Sequence, residues 1–242
     1  MVADVAAMPE LERYMLALLA KLDGTLRQAV ADFDFNTYVR ALTDFCNEDL
    51  SAFFFDIRKD CLYCDAAGDP KRMAYRTVLD TLFHALVRYA APVLVFTAEE
   101  VWGTRFPEGG SVHLAVWPEV PGPQSKDFTN PKLVEFAEAT KWQIVRDLRS
   151  TVLQEIEPLR REKVIGSSLE AAVKIQQGSI DQTADALAEL FIVASVEFDS
   201  SPEVTRTTHH KCGRCWRHLP EVASDGDLCS RCETVVGELD HA

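Results

Sequence analysis

The sequence lacks any run approaching the roughly 18 consecutive apolar residues that a membrane-spanning helix needs. Its start, Met1-Val-Ala-Asp-Val-Ala-Ala-Met-Pro9, lacks the basic end and apolar stretch of a secretory leader. The expectation is a cytoplasmic chain without membrane contact. Positive charge is also scarce: 25 Lys and Arg stand against 38 Asp and Glu, a net charge of −13. That balance excludes indiscriminate binding to nucleic acid, because phosphate contacts need local cations to release counterions. Any nucleic-acid site must concentrate its lysines and arginines.

Catalytic signatures are missing as well. There is no glycine-rich phosphate loop, no His-x-Gly-His and no clustered Ser/His/Asp set, and the six histidines are scattered over different predicted elements. The adjacent acids Glu99 and Glu100 fall in the first turn of a predicted helix, where the dipole favours negative charge. The chain reads as a recognition module without chemistry of its own.

Cysteine is present in an odd number, seven, and four of the seven form Cys212-x2-Cys215-x13-Cys229-x2-Cys232. Two knuckles joined by one loop bring four thiolates around a tetrahedral ion, a pattern that points to metal in a reducing compartment rather than to disulfides. Four soft thiolates suit zinc and close its fourth position, so the expected role is one structural zinc ion. A segment of about 30 residues buries too little apolar surface to fold alone, so the metal would supply most of its stability. Cys61 and Cys64 form a lone Cys-x-x-Cys with no second pair nearby in sequence, and Cys46 reads as a small core residue. His209 and His210 abut Lys211 and are rival ligands on paper.

Hydrophobic periodicity predicts a mainly α protein. Met15, Leu18, Leu19, Leu22 and Leu26 recur at helical spacing, as do Leu79, Leu82, Phe83, Leu86, Val87 and Ala90. Residues 36–58 carry Tyr38, Leu42, Phe45, Leu50 and Phe53-Phe54-Phe55; Asp65–Pro70 breaks the pattern, and Pro92 ends the following helix. Thr97, with Glu100 three residues on, predicts a capping box. Together these segments predict an antiparallel helical bundle over 1–120. A proline- and glycine-rich stretch follows Phe106, with Ser111–Pro118 as its extended piece and a boundary near 121–128.

Leu133, Phe136, Ala137, Thr140, Ile144, Leu148 and Val152 predict a helix over 130–161, with Pro158 kinking or closing its end. Ala171–Ile175 and Leu190–Phe198 read as strands around a short helix at Asp181–Glu189, a small α+β junction within 121–204. Residues 199–208 read as a linker or edge segment leading to the zinc module at 205–242.

The cations collect in two places. Between Val204 and Pro220 lie Arg206, Lys211, Arg214 and Arg217 with three histidines and no acid. Trp216 sits inside this island, where it either stacks an unpaired base or caps the small metal core. The second cluster, Lys141, Arg146, Arg149, Arg160, Arg161 and Lys163, is interleaved with Glu155, Glu157 and Glu162, so pairing along a solvated helix face competes with RNA binding.

The stretches 47–65 (NEDLSAFFFDIRKDCLYCD), 91–102 (APVLVFTAEEVW), 111–118 (SVHLAVWP), 162–173 (EKVIGSSLEAAV) and KCGRCW…LCSRC resemble, in order, the C-terminal portion of bacterial isoleucyl-tRNA synthetases. The resemblance implies an anticodon-binding bundle at 1–120, a junction subdomain, and a zinc tail whose ligands are Cys212, Cys215, Cys229 and Cys232. It implies part of a class I aminoacyl-tRNA ligase that uses ATP and Mg, with the catalytic and editing domains absent from this non-catalytic piece. The implied partners are tRNA with the isoleucine anticodon and the remainder of the parent enzyme, and the expected state is a monomer. The competing expectation is a scaffold whose zinc ribbon docks another polypeptide.

Overall fold

A computed structural model describes residues 5–120, 140–176 and 182–240. The chain forms two compact units, one drawn from Met1–Arg58 and Ala67–Glu138 and one from Lys59–Ala66 and Ala139–Ala242. The predicted boundary near 121–128, Leu133, Phe136, Ala137 and Asp181 lie outside the described residues.

The first unit is helical. Helix α1 (Glu10–Ala31) buries Leu11, Met15, Leu19, Leu22 and Leu26 along the predicted seam. Helix α2 (Phe35–Asp44) starts where the Asp34 carboxylate accepts from the Thr37 N–H, a cap worth about 1 kcal/mol. It continues through a wider, π-helical run, Phe45–Phe55, into α3 (Asp56–Cys64). This run buries Phe45, Leu50, Phe53 and Phe54 and leaves Phe55 and Cys46 less covered. Cys46 is therefore half-buried rather than a core residue.

Helix α4 (Pro70–Ala90) begins with the Asp69 carboxylate accepting from the Lys71 and Arg72 N–H groups, and Pro70 occupies a first-turn position that needs no donor. Its buried residues are Ala74, Tyr75, Val78, Leu82, Ala85, Val87 and Tyr89. Of the predicted row, Leu82 and Val87 are buried, while Leu79, Phe83, Leu86 and Ala90 are half-buried on its flank.

Helix α5 (Val95–Arg105) starts two residues before Thr97, with Leu94 at the cap position and no side-chain cap bond. The predicted capping box does not form, because Thr97 already lies within the helix. Glu99 instead reaches across to accept from Ser111 Oγ and the Val112 N–H, each at 2.9 Å. That contact folds Val112–Leu114 into a single 3₁₀ turn where an extended segment is predicted. Asp23 ties the unit together: it accepts from Tyr89 Oη and Trp117 Nε1 at 2.6 Å each, and from Arg27 Nε at 2.7 Å. Arg58 forks onto the fully buried Glu12 at 2.6 and 2.8 Å.

In the second unit, α6 (Thr140–Arg161) continues past Pro158 to Arg161. Its buried face is Trp142, Val145, Arg149, Val152 and Ile156, so the predicted Ile144 and Leu148 sit half-buried on its flank. Strand β1 (Ala171–Ile175) pairs in parallel with β2 (Ser195–Phe198) and antiparallel with β3 (Glu203–Arg206), giving the order β2-β1-β3. Helix α7 (Ala184–Phe191) provides the crossover and packs on β2 and α6. It retains Leu190 and Phe191, which are predicted as strand, and stops where Ile192 turns left-handed at φ 59°. The apolar run there serves a buried helix face, which periodicity cannot distinguish from a buried strand. After β3 come the short pair β4 (His210–Lys211) and β5 (His218–Leu219), then α8 (Ser230–Asp240).

Candidate metal centre and nucleic-acid interface

The pair β4–β5 fixes the first knuckle and the start of α8 carries the second. Gly213 and Gly226 allow them to meet: a Cβ on Gly213 would lie 2.4 Å from the Gly226 carbonyl oxygen, and Gly226 itself has φ 101°. Backbone bonds from Gly213 N to Asp227 O (3.0 Å) and Gly226 N to Lys211 O (2.9 Å) close the loop. The sulfur atoms of Cys212, Cys215, Cys229 and Cys232 then lie within 4.8 Å of one another, all buried.

These four thiols fit a metal. A tetrahedron with Zn–S bonds of about 2.3 Å has edges of about 3.8 Å, and Cys215 Sγ stands 3.8 Å from Cys229 Sγ. Donors point at the sulfurs, as thiolates require: Cys229 N–H to Cys212 Sγ at 3.3 Å and Arg214 Nη1 to Cys232 Sγ at 3.6 Å. Burial pushes the Cys212 thiol up, but backbone N–H groups of Cys215, Cys229 and Arg214 outweigh it and bring it down to about 6. Burial raises Cys215 and Cys229. Metal binding to such thiols displaces their protons.

The neighbouring histidines stand apart from the thiols. His218 Nδ1 contacts His209 O at 2.8 Å, and His210 Nδ1 lies 3.4 Å from Asp225. Neither His209 nor His210 joins the cluster.

The module is fastened to the end of α3. Arg231, between the last two cysteines, binds Asp60 through both oxygens and Asp65 at 2.8 Å. Arg214 donates to the carbonyls of Cys64 (2.7 Å) and Tyr63 (3.2 Å), satisfying the orphan acceptors at the helix terminus. Cys64 packs into the same buried cluster as the four thiols and is raised to about 11, chiefly by burial. The lone Cys-x-x-Cys thus has its second pair nearby in space, although it adds no ligand to the four-thiol cluster.

The candidate RNA contacts separate accordingly. Arg149 is 7% exposed and its Nε donates to Leu190 O at 2.8 Å, so it serves the core of the unit and presents no face to RNA. Arg214 is committed to the α3 terminus as described. Arg206 is exposed beside Glu170 at 3.6 Å. Arg217 is half-buried, its carbonyl accepting from Cys212 N–H, and Arg146 is half-buried on α6. Trp216 is 62% exposed at φ 65°, so it does not cap the metal core. The Lys211 ammonium lies 5.3 Å from its ring centroid. Arg160, Arg161 and Lys163 gather around one concavity at the end of α6.

Arg231, Asp60 and Asp65 escape the sequence reading. Their only signal is an arginine inside one Cys-x-x-Cys and acids flanking another, 171 residues apart.

A helical unit is joined in sequence to an α+β unit whose four buried thiols would fill every position of a tetrahedral ion. Residues 12–175 match the anticodon-binding domain of tRNA ligases, and the chain belongs to that family. Residues 210–235 match a zinc finger found in FPG and IleRS, which together with the thiol cluster supports zinc binding. The chain is 55% identical over 97% of its length to an isoleucine–tRNA ligase of Zymomonas mobilis. It is 43% identical over 96% to one of Gluconobacter oxydans, and 40% over 97% to one of Agrobacterium fabrum. It spans about a quarter of the length of these curated relatives. No helix among the described residues is long and apolar enough to cross a membrane.

Proposed function

We propose that this chain is the tRNA-recognition portion of an isoleucyl-tRNA synthetase, gripping the anticodon arm of tRNA with the isoleucine anticodon in the cytoplasm. In this reading residues 1–120 form the anticodon-binding bundle, 121–204 the junction and 205–242 the zinc module. Cys212, Cys215, Cys229 and Cys232 hold one structural zinc, which supplies folding energy and no chemistry. Adenylation with ATP and Mg, and editing, belong to other domains of the parent enzyme, and this portion is a non-catalytic monomer.

The observation that carries the reading is Trp216, an exposed indole in a left-handed conformation on a metal knuckle, with a lysine ammonium beside its ring. A rigid aromatic next to a cation stacks an unpaired base and attracts its phosphate. Lys211, Arg206 and Arg217, with Arg146, Arg160, Arg161 and Lys163, are the candidate cations; Arg149 and Arg214 are assigned to the fold.

The test is a salt-dependent titration of the zinc-loaded chain with tRNA carrying the isoleucine anticodon and with a non-cognate tRNA, repeated after metal removal. Tighter cognate binding that vanishes with the metal supports the reading. No binding at low salt by the folded, metal-loaded chain refutes it.

A second reading, docking of another polypeptide, is favoured by exposed apolar side chains on the first unit. There Leu94, Phe96, Leu114 and Val116 are exposed, with His113 Nε2 against Val95 O at 3.2 Å. That reading requires little RNA affinity and stable binding of the remaining portion of the ligase.

A further inference from the structure

Helix α6 ends in a closed turn: Lys163 N–H donates to Arg160 O at 3.1 Å and Val164 N–H to Leu159 O at 2.9 Å. The pattern places residue 163 in the left-handed conformation, φ 59°, at the position glycine usually occupies. An L side chain is strained there. Lys163 is exposed, so packing does not repay the strain. Backbone strain of this kind gathers at sites where a particular side chain is required.

Lys163 lines a concavity of about 350 Å³ together with Glu157, Arg160, Arg161, Ile165 and Gly166. Glu157 engages Arg160 at 3.3 Å. The side chains of Arg161 and Lys163 have no hydrogen-bond or ion-pair partner among the described residues. Complementing the helix dipole accounts for Arg160 and Arg161 in the last turn. It does not account for Lys163, which lies beyond the helix and is the costliest of the three to place.

We infer that this concavity is a phosphate site, built by Arg160, Arg161 and Lys163, that takes a phosphodiester group of an RNA backbone. The inference rests on the RNA-binding reading above and adds to it the group recognised and the place. Guanidinium forks and an ammonium donate to phosphate oxygens in fixed directions. Three cations over one or two phosphates would grip RNA without reading its bases.

The test is Lys163→Gly in the zinc-loaded chain, beside Trp216→Gly and the triple variant Arg160→Ala/Arg161→Ala/Lys163→Gly. Relief of strain should leave the Lys163→Gly melting temperature unchanged or raise it by about 1–2 °C. Its tRNA affinity at moderate salt should fall by up to about fivefold, and its log–log salt slope should shrink by about 0.7–0.9. The triple variant should lose about two units of slope. Inorganic phosphate, titrated at constant ionic strength, should shift the amide resonances of Lys163 and Gly166 in the wild type and not in the triple variant.

A Lys163→Gly protein with wild-type affinity and slope overturns the inference. If Trp216→Gly nonetheless weakens binding, the RNA reading stands without it. Phosphate shifts without any change in RNA binding mean that the site takes a free phosphate, which also overturns the assigned ligand. Failure of the wild type to bind any tRNA at low salt removes both.

Discussion

Arg231 and Asp60 meet fork to fork, Nη1 to Oδ2 at 2.6 Å and Nη2 to Oδ1 at 2.9 Å, with Asp65 taking a further bond from Nη1 at 2.8 Å. Burial alone would lower the Arg231 guanidinium, but Asp60 outweighs it and holds it above its ordinary value. This pair fastens the four-cysteine module to the end of α3. A lysine cannot reproduce a bidentate fork.

Arg231→Lys should therefore cost about 1–2 kcal/mol, below the value for a fully buried pair because both side chains keep about a third of their surface in water. The readout is the rate at which a chelator strips zinc, expected to be several-fold faster than in the wild type. An unchanged rate would mean that the clamp does not hold the module.

The same pair predicts an acid response. Burial pushes the Asp60 carboxyl up, and the hydrogen bond and charge of Arg231 more than reverse this, leaving it below its ordinary value of 3.8. The stability it contributes is thus complete above that value and is lost as pH falls through the lower folded value. Comparing the wild type with Asp60→Asn separates this from protonation of the thiols, which both share. Their difference in unfolding free energy should be constant at neutral pH and shrink below about pH 4.

Removing zinc should unfold residues 210–235 and leave the first unit folded, because the module's buried cluster is made largely of the thiols themselves. Amide exchange measured with and without a chelator should show protection lost in the module and kept in α1 and α4. Simultaneous loss in both would contradict independent stability.

Trp216→Gly and Arg214→Ala should separate binding from folding. The first relieves a left-handed tryptophan and should weaken tRNA binding by about 1–3 kcal/mol with the metal retained. The second strips donors from Tyr63, Cys64 and Cys232, so it should loosen the metal while leaving the salt slope of the loaded protein unchanged. A reduced slope for Arg214→Ala would restore it as a phosphate contact.

In the first unit, Glu12→Ala should destabilise by about 3–5 kcal/mol, because it leaves the Arg58 charge buried without its carboxylate. Replacing both residues with apolar side chains of similar size should recover much of the loss. Thermal unfolding of the single and double variants reads both effects.

Much of the architecture was legible without coordinates. The helical seam of α1, the break at Asp65–Pro70 before α4 and strand β1 follow from local periodicity and local turn chemistry. The metal ligands were legible for the same reason: two Cys-x-x-Cys knuckles are local structures, and their spacing already permits one tetrahedron.

Tertiary structure decided how the ambiguous side chains are used. Arg149, Arg160 and Arg161 look alike in sequence, yet the first is spent on the Leu190 carbonyl while the others reach solvent, because only packing determines which face of α6 is covered. Arg214 and Trp216 are two residues apart on one knuckle; the first turns to a helix end and the second to water. Asp60 and Asp65 join the metal module across more than 160 residues of chain, and Cys64 across 150. Local periodicity carries no record of such pairings, because they depend on which surfaces the folded chain brings together and not on which residues are neighbours along it.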